Sequence, residues 1–125
     1  MDLALKAAVV PVLRESGFTG LYPYLRRANT TYVELLTFQF DVSGGGFVIE
    51  MSRCGIGGIT TKDGRHISAS EVKPWDLNPH DRLQIKLREG SGTDSWFRYE
   101  SGEYGRVASD ALAELRVSQV VASSR

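Results

Sequence analysis

The chain has 125 residues, of which 42% are hydrophobic and 24% are charged, and its fifteen basic side chains balance fifteen acidic ones. This length and composition are typical of one globular domain with its own core, so we expect a single domain over residues 1–125. The net charge of zero argues against nucleic-acid binding, because phosphate contacts need an excess of basic side chains.

Cys54 is the only cysteine, so no disulfide can form within the chain. This usage fits a reducing compartment. Four charged residues among the first 15 interrupt the apolar N-terminal stretch before it reaches the length of a signal peptide or a membrane span. We therefore expect a cytoplasmic protein without a membrane partner.

Residues 2–16 place their apolar side chains on one helical face and predict an amphipathic helix. Pro11 should kink this helix near its middle, because proline lacks the backbone donor that the helix needs. The pair Gly17-Phe18 then ends the helix, with the glycine in the turn and the phenylalanine folding back as the hydrophobic contact of the cap.

The next residues predict an edge strand and a long hairpin. Residues 21–27 form a short strand that Pro23 restricts to an edge or a bulge, and a turn at Asn29-Thr30 joins it to the hairpin. Residues 31–54 predict the hairpin, because apolar side chains recur at every second position on both sides of three glycines at 44–46. A phosphate-binding loop is the alternative for these glycines, but such a loop precedes a helix, and here a strand follows.

The stretch from residue 55 to residue 81 is the least regular part of the chain. The Asp63-Gly64 pair predicts a tight turn between two very short strands, over residues 59–61 and 66–68. Asn78-Pro79 predicts the start of about one turn of helix, with asparagine as the cap.

Alternating polarity returns in residues 82–88 and 96–100, which together predict a second hairpin. A final helix is predicted from Ala108, with Ser109 or Asp110 as its cap. The order of elements is helix, strands, helix. It predicts an α+β fold in which an antiparallel sheet of about five strands carries the N-terminal and C-terminal helices on one face.

Few residues have the pattern of a catalytic or metal site. His80-Asp81 is the doublet closest to general acid–base chemistry, although a turn explains the aspartate equally well. Cys54 is a nucleophile candidate only if a nearby group lowers its pKa, and it closes a strand where a buried thiol is common. His66 and His80 lie too far apart for the paired spacing of zinc ligands, so no metal or cofactor is expected.

Other candidates come from the strands and from the irregular segment. Glu34 and Glu50 lie in the two arms of the long hairpin, where they could face each other as a carboxylate pair or bind arginines across the sheet. Trp75 lies beside a proline in an irregular loop, where a large aromatic side chain either packs on the core or contacts a partner.

Aromatic residues lie near arginines in two stretches, residues 22–27 and 96–99. Aromatic side chains on a sheet can stack the bases of single-stranded nucleic acids, so these stretches offer a platform for such a ligand. The neutral net charge and the core role of several of these rings argue against it.

A series of short motifs, taken in order over residues 9–115, resembles the bacterial domain-of-unknown-function family 4304. The motifs are Gly17-Phe18, Tyr24-Leu25-Arg26, Phe38-Gln39, Phe47-Val48-Ile49-Glu50-Met51, Arg82-Leu83 and Asp94-Ser95-Trp96-Phe97. The family has no established activity, so the resemblance implies no catalytic residues. By analogy alone it implies an accessory or immunity-like protein.

The sequence therefore favours a small, non-enzymatic domain that binds a protein partner through the exposed sheet face and the irregular segment. The binding residues predicted for it are Trp75, Gln39, Glu50, Arg26 and Arg98. A small enzyme with a site near His80 and Asp81 is one alternative, and a binder of single-stranded nucleic acid is another. Homo-oligomerisation stays open.

Overall fold

The computed structural model describes residues 1–87 and 95–122. The α-helices of this part are α1 (Asp2–Ala8), α2 (Val10–Glu15) and α3 (Tyr104–Val117). The strands are β1 (Tyr24–Ala28), β2 (Tyr32–Phe40), β3 (Gly46–Gly55), β4 (Ile59–Thr60), β5 (His66–Ile67), β6 (Leu83–Ile85) and β7 (Phe97–Arg98). Within the described ranges, no helix has the length and apolar character needed to cross a bilayer.

One antiparallel sheet dominates the fold. Strands β1, β2, β3 and β6 lie side by side in that order, and β7 also pairs with β3, which makes five strands. Strands β4 and β5 form a separate two-stranded hairpin around the predicted Asp63-Gly64 turn. The helices α1, α2 and α3 share one apolar core with the large sheet. The predicted α+β class is therefore confirmed.

The hairpin of β2 and β3 is the centre of the sheet, running from Tyr32 opposite Gly55 to Phe40 opposite Phe47. Because successive side chains of a strand point to opposite faces, alternate residues of both strands lie under the helices, on what we call the helix face. The buried residues that the two strands contribute there are Leu36, Phe38, Phe47, Ile49 and Met51.

The opposite face of the sheet is partly covered by the irregular segment that follows β3. Val33, Leu35 and Cys54 on this face form a second apolar cluster with Ala69 and Val72 of the segment. Burial of these apolar side chains holds the segment against the sheet. The face was expected to be exposed, but beyond the covered end Thr37, Val48 and Ser52 are also buried, and Gln39 is the exposed residue of β2 there.

The N-terminal helix and its end follow the prediction. The helix is divided at Val9, two residues before Pro11, into α1 and α2. At the end of α2 the Phe18 N–H donates to the Leu13 carbonyl at 3.0 Å, and Gly17 has a φ of +100°. This is the glycine cap expected for the Gly17-Phe18 pair, with Phe18 buried in the core.

The second predicted hairpin is wrong as far as the described residues extend. Both β6 and β7 run antiparallel to the same edge of β3, with Ile85 opposite Ile49 and Phe97 opposite Phe47. They pair with neighbouring stretches of that edge, β6 at residues 49–51 and β7 at residues 46–47. Residues 88–94 of the predicted strand and loop lie outside the described residues, and Leu83 is exposed rather than half-buried.

Helix α3 begins at Tyr104, one turn before the predicted start at Ala108. Ser109 and Asp110 therefore lie inside the helix, and their predicted role as the cap is wrong. Glu103 occupies the cap position, but its side chain accepts no capping hydrogen bond from a backbone N–H of the first turn. Burial of the α3 face, rather than a cap, fixes where the helix lies.

Candidate functional site

A pocket opens on the uncovered part of the opposite face, between the sheet and a short 3₁₀ turn at Pro74–Asp76. The turn is fixed by the Asp76 carboxylate, which accepts a hydrogen bond from the Lys73 N–H at 2.9 Å. It holds Trp75 over Tyr24 of β1, with the two rings edge to face and their centroids 5.9 Å apart. Both rings are exposed, Trp75 by 63% and Tyr24 by 50%.

The floor of this pocket is polar and comes from the central hairpin. Thr37 of β2 lies opposite Glu50 of β3, so their side chains share one face. We call the cavity, of about 170 Å³, the Trp75 pocket, and its lining residues are Tyr24, Thr37, Gln39, Glu50, Ser52, Pro74, Trp75 and Arg82. Three of the predicted binding residues, Gln39, Glu50 and Trp75, are thus brought together although they lie far apart in the sequence.

Two charged side chains of opposite sign line the Trp75 pocket. Arg82 Nη2 donates to the Pro74 carbonyl at 2.9 Å, while Arg82 Nη1 lies 3.8 Å from Glu50 Oε2, beyond hydrogen-bonding distance. The Glu50 side chain is only 16% exposed. Within the part of the chain that the structure describes, its carboxylate accepts no hydrogen bond, so its acceptor capacity is available to a ligand.

Arg26, another predicted binding residue, is engaged inside the protein. Its guanidinium donates to the carbonyls of Ala69 at 3.1 Å, Ser70 at 2.7 Å and Val72 at 2.7 Å. These bonds fasten the irregular segment to β1. Arg26 therefore positions the wall of the Trp75 pocket, and both of its terminal nitrogens are bonded within the protein.

Arg27 follows Arg26 on β1, and its side chain points to the helix face. It forms an ion pair with Glu34 at 2.8 Å, and its guanidinium lies 4.3 Å from the centre of the Phe18 ring. It also donates to the carbonyls of Ser16 and Val120, each at 3.0 Å. The alternation of β1 thus places the two arginines that were considered for nucleic-acid stacking on opposite faces of the sheet. Both side chains already form hydrogen bonds within the protein.

Arg98 lies away from the Trp75 pocket, at the turn between β2 and β3. It forms an ion pair with Asp41 at 3.1 Å, and its guanidinium is 5.8 Å from the centre of the Trp96 ring. The Ser43 N–H, and then the Arg98 guanidinium, hold the pKa of the Asp41 carboxyl below its ordinary value. Arg98 is thus not brought together with the other predicted binding residues.

His80 and Asp81 lie in the predicted helical turn, Pro79–Asp81, which the Asn78 side chain caps by accepting from the His80 N–H at 3.0 Å. Both residues are exposed. Asp81 lines a shallow groove of about 330 Å³ that Glu34 also lines, but Glu34 is bound to Arg27. Within the described ranges the His80 side chain has no hydrogen-bond or ion-pair partner, so nothing orients it as a base.

The remaining candidates give no catalytic arrangement. Glu34 and Glu50 lie on opposite faces of the sheet, because Glu34 is opposite Arg53 while Glu50 is opposite Thr37, which excludes the carboxylate pair that was one alternative for them. Cys54 is buried, and desolvation raises the pKa of its thiol, which opposes formation of the nucleophilic thiolate. In residues 1–87 and 95–122, no cluster of side chains has the composition of a metal site.

Sequence reasoning missed several residues of the Trp75 pocket, above all Arg82. Its position depends on the turn at Asn78-Pro79 bringing the chain back to the pocket, which no local pattern reveals. Thr37 and Ser52 could have been found from the hairpin register, since they share alternation with Gln39 and Glu50.

Comparison with known proteins identifies one family that matches the chain. No curated protein and no solved structure matches the chain. A family model, described as Domain of unknown function (DUF4304), matches residues 9–120 of the 125-residue chain. The motifs that resemble this family include parts of β1, β2 and β3 that line or support the Trp75 pocket. The chain therefore belongs to the DUF4304 family.

Proposed function

We propose that the protein is a non-enzymatic interaction domain that binds a protein partner at the Trp75 pocket. The observation that carries this proposal is the exposure of Trp75 and Tyr24 at the rim of a concave, polar-floored site. Tryptophan and tyrosine are enriched among the residues that dominate binding energy at protein interfaces. An immunity-like protein, as the family resemblance implies, would be one instance, since such a protein acts by binding another.

The support for this function is stronger than the support for an enzyme. The Trp75 pocket contains an acceptor-rich floor and two aromatic rings, but it has no histidine, cysteine or lysine in its lining. His80 is exposed outside the pocket, and Cys54 is buried in the second apolar cluster. A binding surface uses the exposed rings and the polar floor that are present, whereas the histidine and cysteine weighed as catalytic candidates lie elsewhere.

The test is capture of the partner from the native host with a tagged protein, using Trp75→Ala and Tyr24→Ala as variants. Leu3→Ala is the matched control, because Leu3 is an apolar residue of α1 that is 83% exposed and lies outside the pocket. We expect the same protein to be captured by the wild type and by Leu3→Ala, and to be lost from Trp75→Ala.

Binding must then be reproduced with the purified partner. Truncation of a central aromatic residue should weaken the affinity by about 2 kcal/mol or more. Circular dichroism of each variant checks that the fold is retained. Equal binding by Trp75→Ala, or no partner for the wild type, would refute the proposed function.

A further inference from the structure

The chemistry of the Trp75 pocket limits the kind of partner side chain that the pocket can bind. Its walls are the rings of Tyr24 and Trp75, and its floor carries the Glu50 carboxylate with the hydroxyls of Thr37 and Ser52. Aromatic faces attract cations through their negative π surface, and a carboxylate accepts up to four hydrogen bonds. The rings and the carboxylate favour a ligand that is positively charged and rich in donors, and the hydroxyls can accept hydrogen bonds from it.

Arg82 is the charged lining residue with the opposite preference, and its guanidinium is partly engaged within the protein. Its Nη2 is bound to the Pro74 carbonyl at 2.9 Å, and its Nε is buried without a hydrogen-bond partner in the described part of the chain. Its Nη1 faces Glu50 Oε2 at 3.8 Å. The Pro74 carbonyl therefore holds Arg82 beside Glu50, and the distance of 3.8 Å leaves the Glu50 carboxylate able to accept hydrogen bonds from a ligand.

We infer that the Trp75 pocket binds an arginine side chain presented by the protein partner, a step that rests on the proposed function. A guanidinium is planar, so it can stack on Trp75 while its forked donors reach the carboxylate of Glu50. Its remaining donors match the hydroxyls of Thr37 and Ser52, which are uncharged acceptors. A lysine would make the same charge contact without the stacked, forked geometry, and would bind more weakly.

The size of the pocket agrees with a single side chain. Its cavity of about 170 Å³ is smaller than the 300–1,000 Å³ that is usual for pockets holding a whole small molecule. An anchor residue of a larger interface fits this volume, and the flanking partner surface would contact the exposed faces of Tyr24 and Trp75.

The experiment is a ¹H–¹⁵N NMR titration of the full chain with N-acetyl-arginine methylamide. N-acetyl-citrulline methylamide has nearly the same shape without the charge, and N-acetyl-glutamate methylamide carries the opposite charge. We expect the arginine probe to shift the Trp75 indole N–H signal with a Kd about tenfold lower than that of the citrulline probe. The Trp96 indole signal serves as the internal control, because Trp96 lies outside the pocket lining.

Two variants test the contributions of the two charged side chains of the pocket one at a time. Glu50→Gln should raise the Kd for the arginine probe about tenfold, whereas Arg82→Gln should lower it, because the competing cation is removed. Glu15→Gln is the matched control, since Glu15 is an exposed glutamate at the end of α2 and removes the same charge elsewhere. Equal binding of the arginine and citrulline probes to the wild type, or tighter binding of the glutamate probe, would overturn the inference.

The experiments distinguish a failure of the arginine assignment from a failure of the proposed function. A partner whose capture depends on Trp75, combined with no preference for the arginine probe, refutes only the assignment of the side chain. Arginine-probe binding at Trp75 without any captured protein refutes the interaction domain instead, and leaves a pocket for a free guanidinium ligand.

Discussion

At the scale of single residues, two helices end with the same backbone motif but with different residues in the left-handed position. After α2 this position is Gly17, with a φ of +100°, and after α3 it is Gln119, with a φ of +61°. In both places the next N–H returns to the last turn, at 3.0 Å from Phe18 to Leu13 and at 3.0 Å from Val120 to Leu115. A side chain with a Cβ is strained in this conformation, whereas glycine is not.

Opposite substitutions at the two caps should therefore have opposite effects on the free energy of unfolding. Gln119→Gly should add about 0.5–1 kcal/mol, and Gly17→Ala should remove about 1 kcal/mol or more. A Cβ at position 17 would also approach Arg27 Cδ at 3.3 Å. Urea denaturation measures the change in the free energy of unfolding for both variants. Gly57→Ala is the control, because Gly57 has no left-handed φ and no atom within 4 Å of an added Cβ. A loss of stability in Gln119→Gly would contradict this account.

The thiol of Cys54 should be unreactive in the folded protein. Burial raises its pKa above the ordinary 9.0, an effect that the nearby charge of Arg26 only partly offsets. We expect iodoacetamide to label native Cys54 at pH 8 at least ten times more slowly than the urea-unfolded chain, because the thiolate is the reactive form. Mass spectrometry of timed samples gives both rates, and rapid native labelling would restore Cys54 as a nucleophile candidate.

Asp41 makes one contribution to the pH dependence of stability. The Ser43 N–H and Arg98 hold its pKa below the ordinary 3.8, so the folded state favours the carboxylate. A group with a lowered pKa stabilises the fold above its unfolded value and loses this contribution as the pH falls through its folded value. The stability difference between wild type and Asp41→Asn should thus be constant above pH 3.8 and shrink below it, as measured by urea denaturation across this range. A difference that grows on acidification would exclude this role.

At the scale of elements, Arg26 and Arg27 are neighbours on β1 that fasten different parts of the fold. Arg26 binds carbonyls of the irregular segment, and Arg27 binds carbonyls near the ends of α2 and α3. Strand alternation places the two side chains on opposite faces of the sheet. The wall of the Trp75 pocket therefore depends on Arg26 and not on Arg27.

Hydrogen exchange should separate these two roles. Arg26→Gln should speed the exchange of amides in residues 59–72 by about tenfold, since several carbonyl hydrogen bonds are lost, and should leave β2 and β3 unchanged. Arg27→Gln is the matched control and should act at the ends of α2 and α3 instead. If Arg26→Gln changes exchange uniformly across the chain, the segment is not a separately fastened element.

Elements with local signals were predictable from the sequence, and elements fixed by distant contacts were not. The turn at Gly44-Gly45 and the Gly17-Phe18 cap are set by neighbouring residues, so a single sequence contains what is needed. The pairing of β6 and β7 with one edge of β3 joins residues that lie far apart in the sequence, so no local pattern specifies it. The start of α3 was missed because its first turn contains Gly105 and has no side-chain cap.

At the scale of the whole molecule, the sheet separates a structural face from a face with an open site. The helices cover one face, and residues of the irregular segment cover part of the other, leaving the Trp75 pocket at the border of the covered part. Gln39, Glu50 and Trp75 could be proposed from the sequence one by one. Their meeting in one pocket, and the participation of Arg82, follow only from the tertiary fold.

The most direct test of the account is a ¹H–¹⁵N NMR titration of the labelled protein with its purified partner. We predict that the largest shifts occur at Tyr24, Gln39, Glu50 and at the indole N–H of Trp75, and that the Trp96 indole signal stays in place. Shifts concentrated instead around Asp81, or on the exposed faces of α1 and α3, would contradict partner binding at the Trp75 pocket.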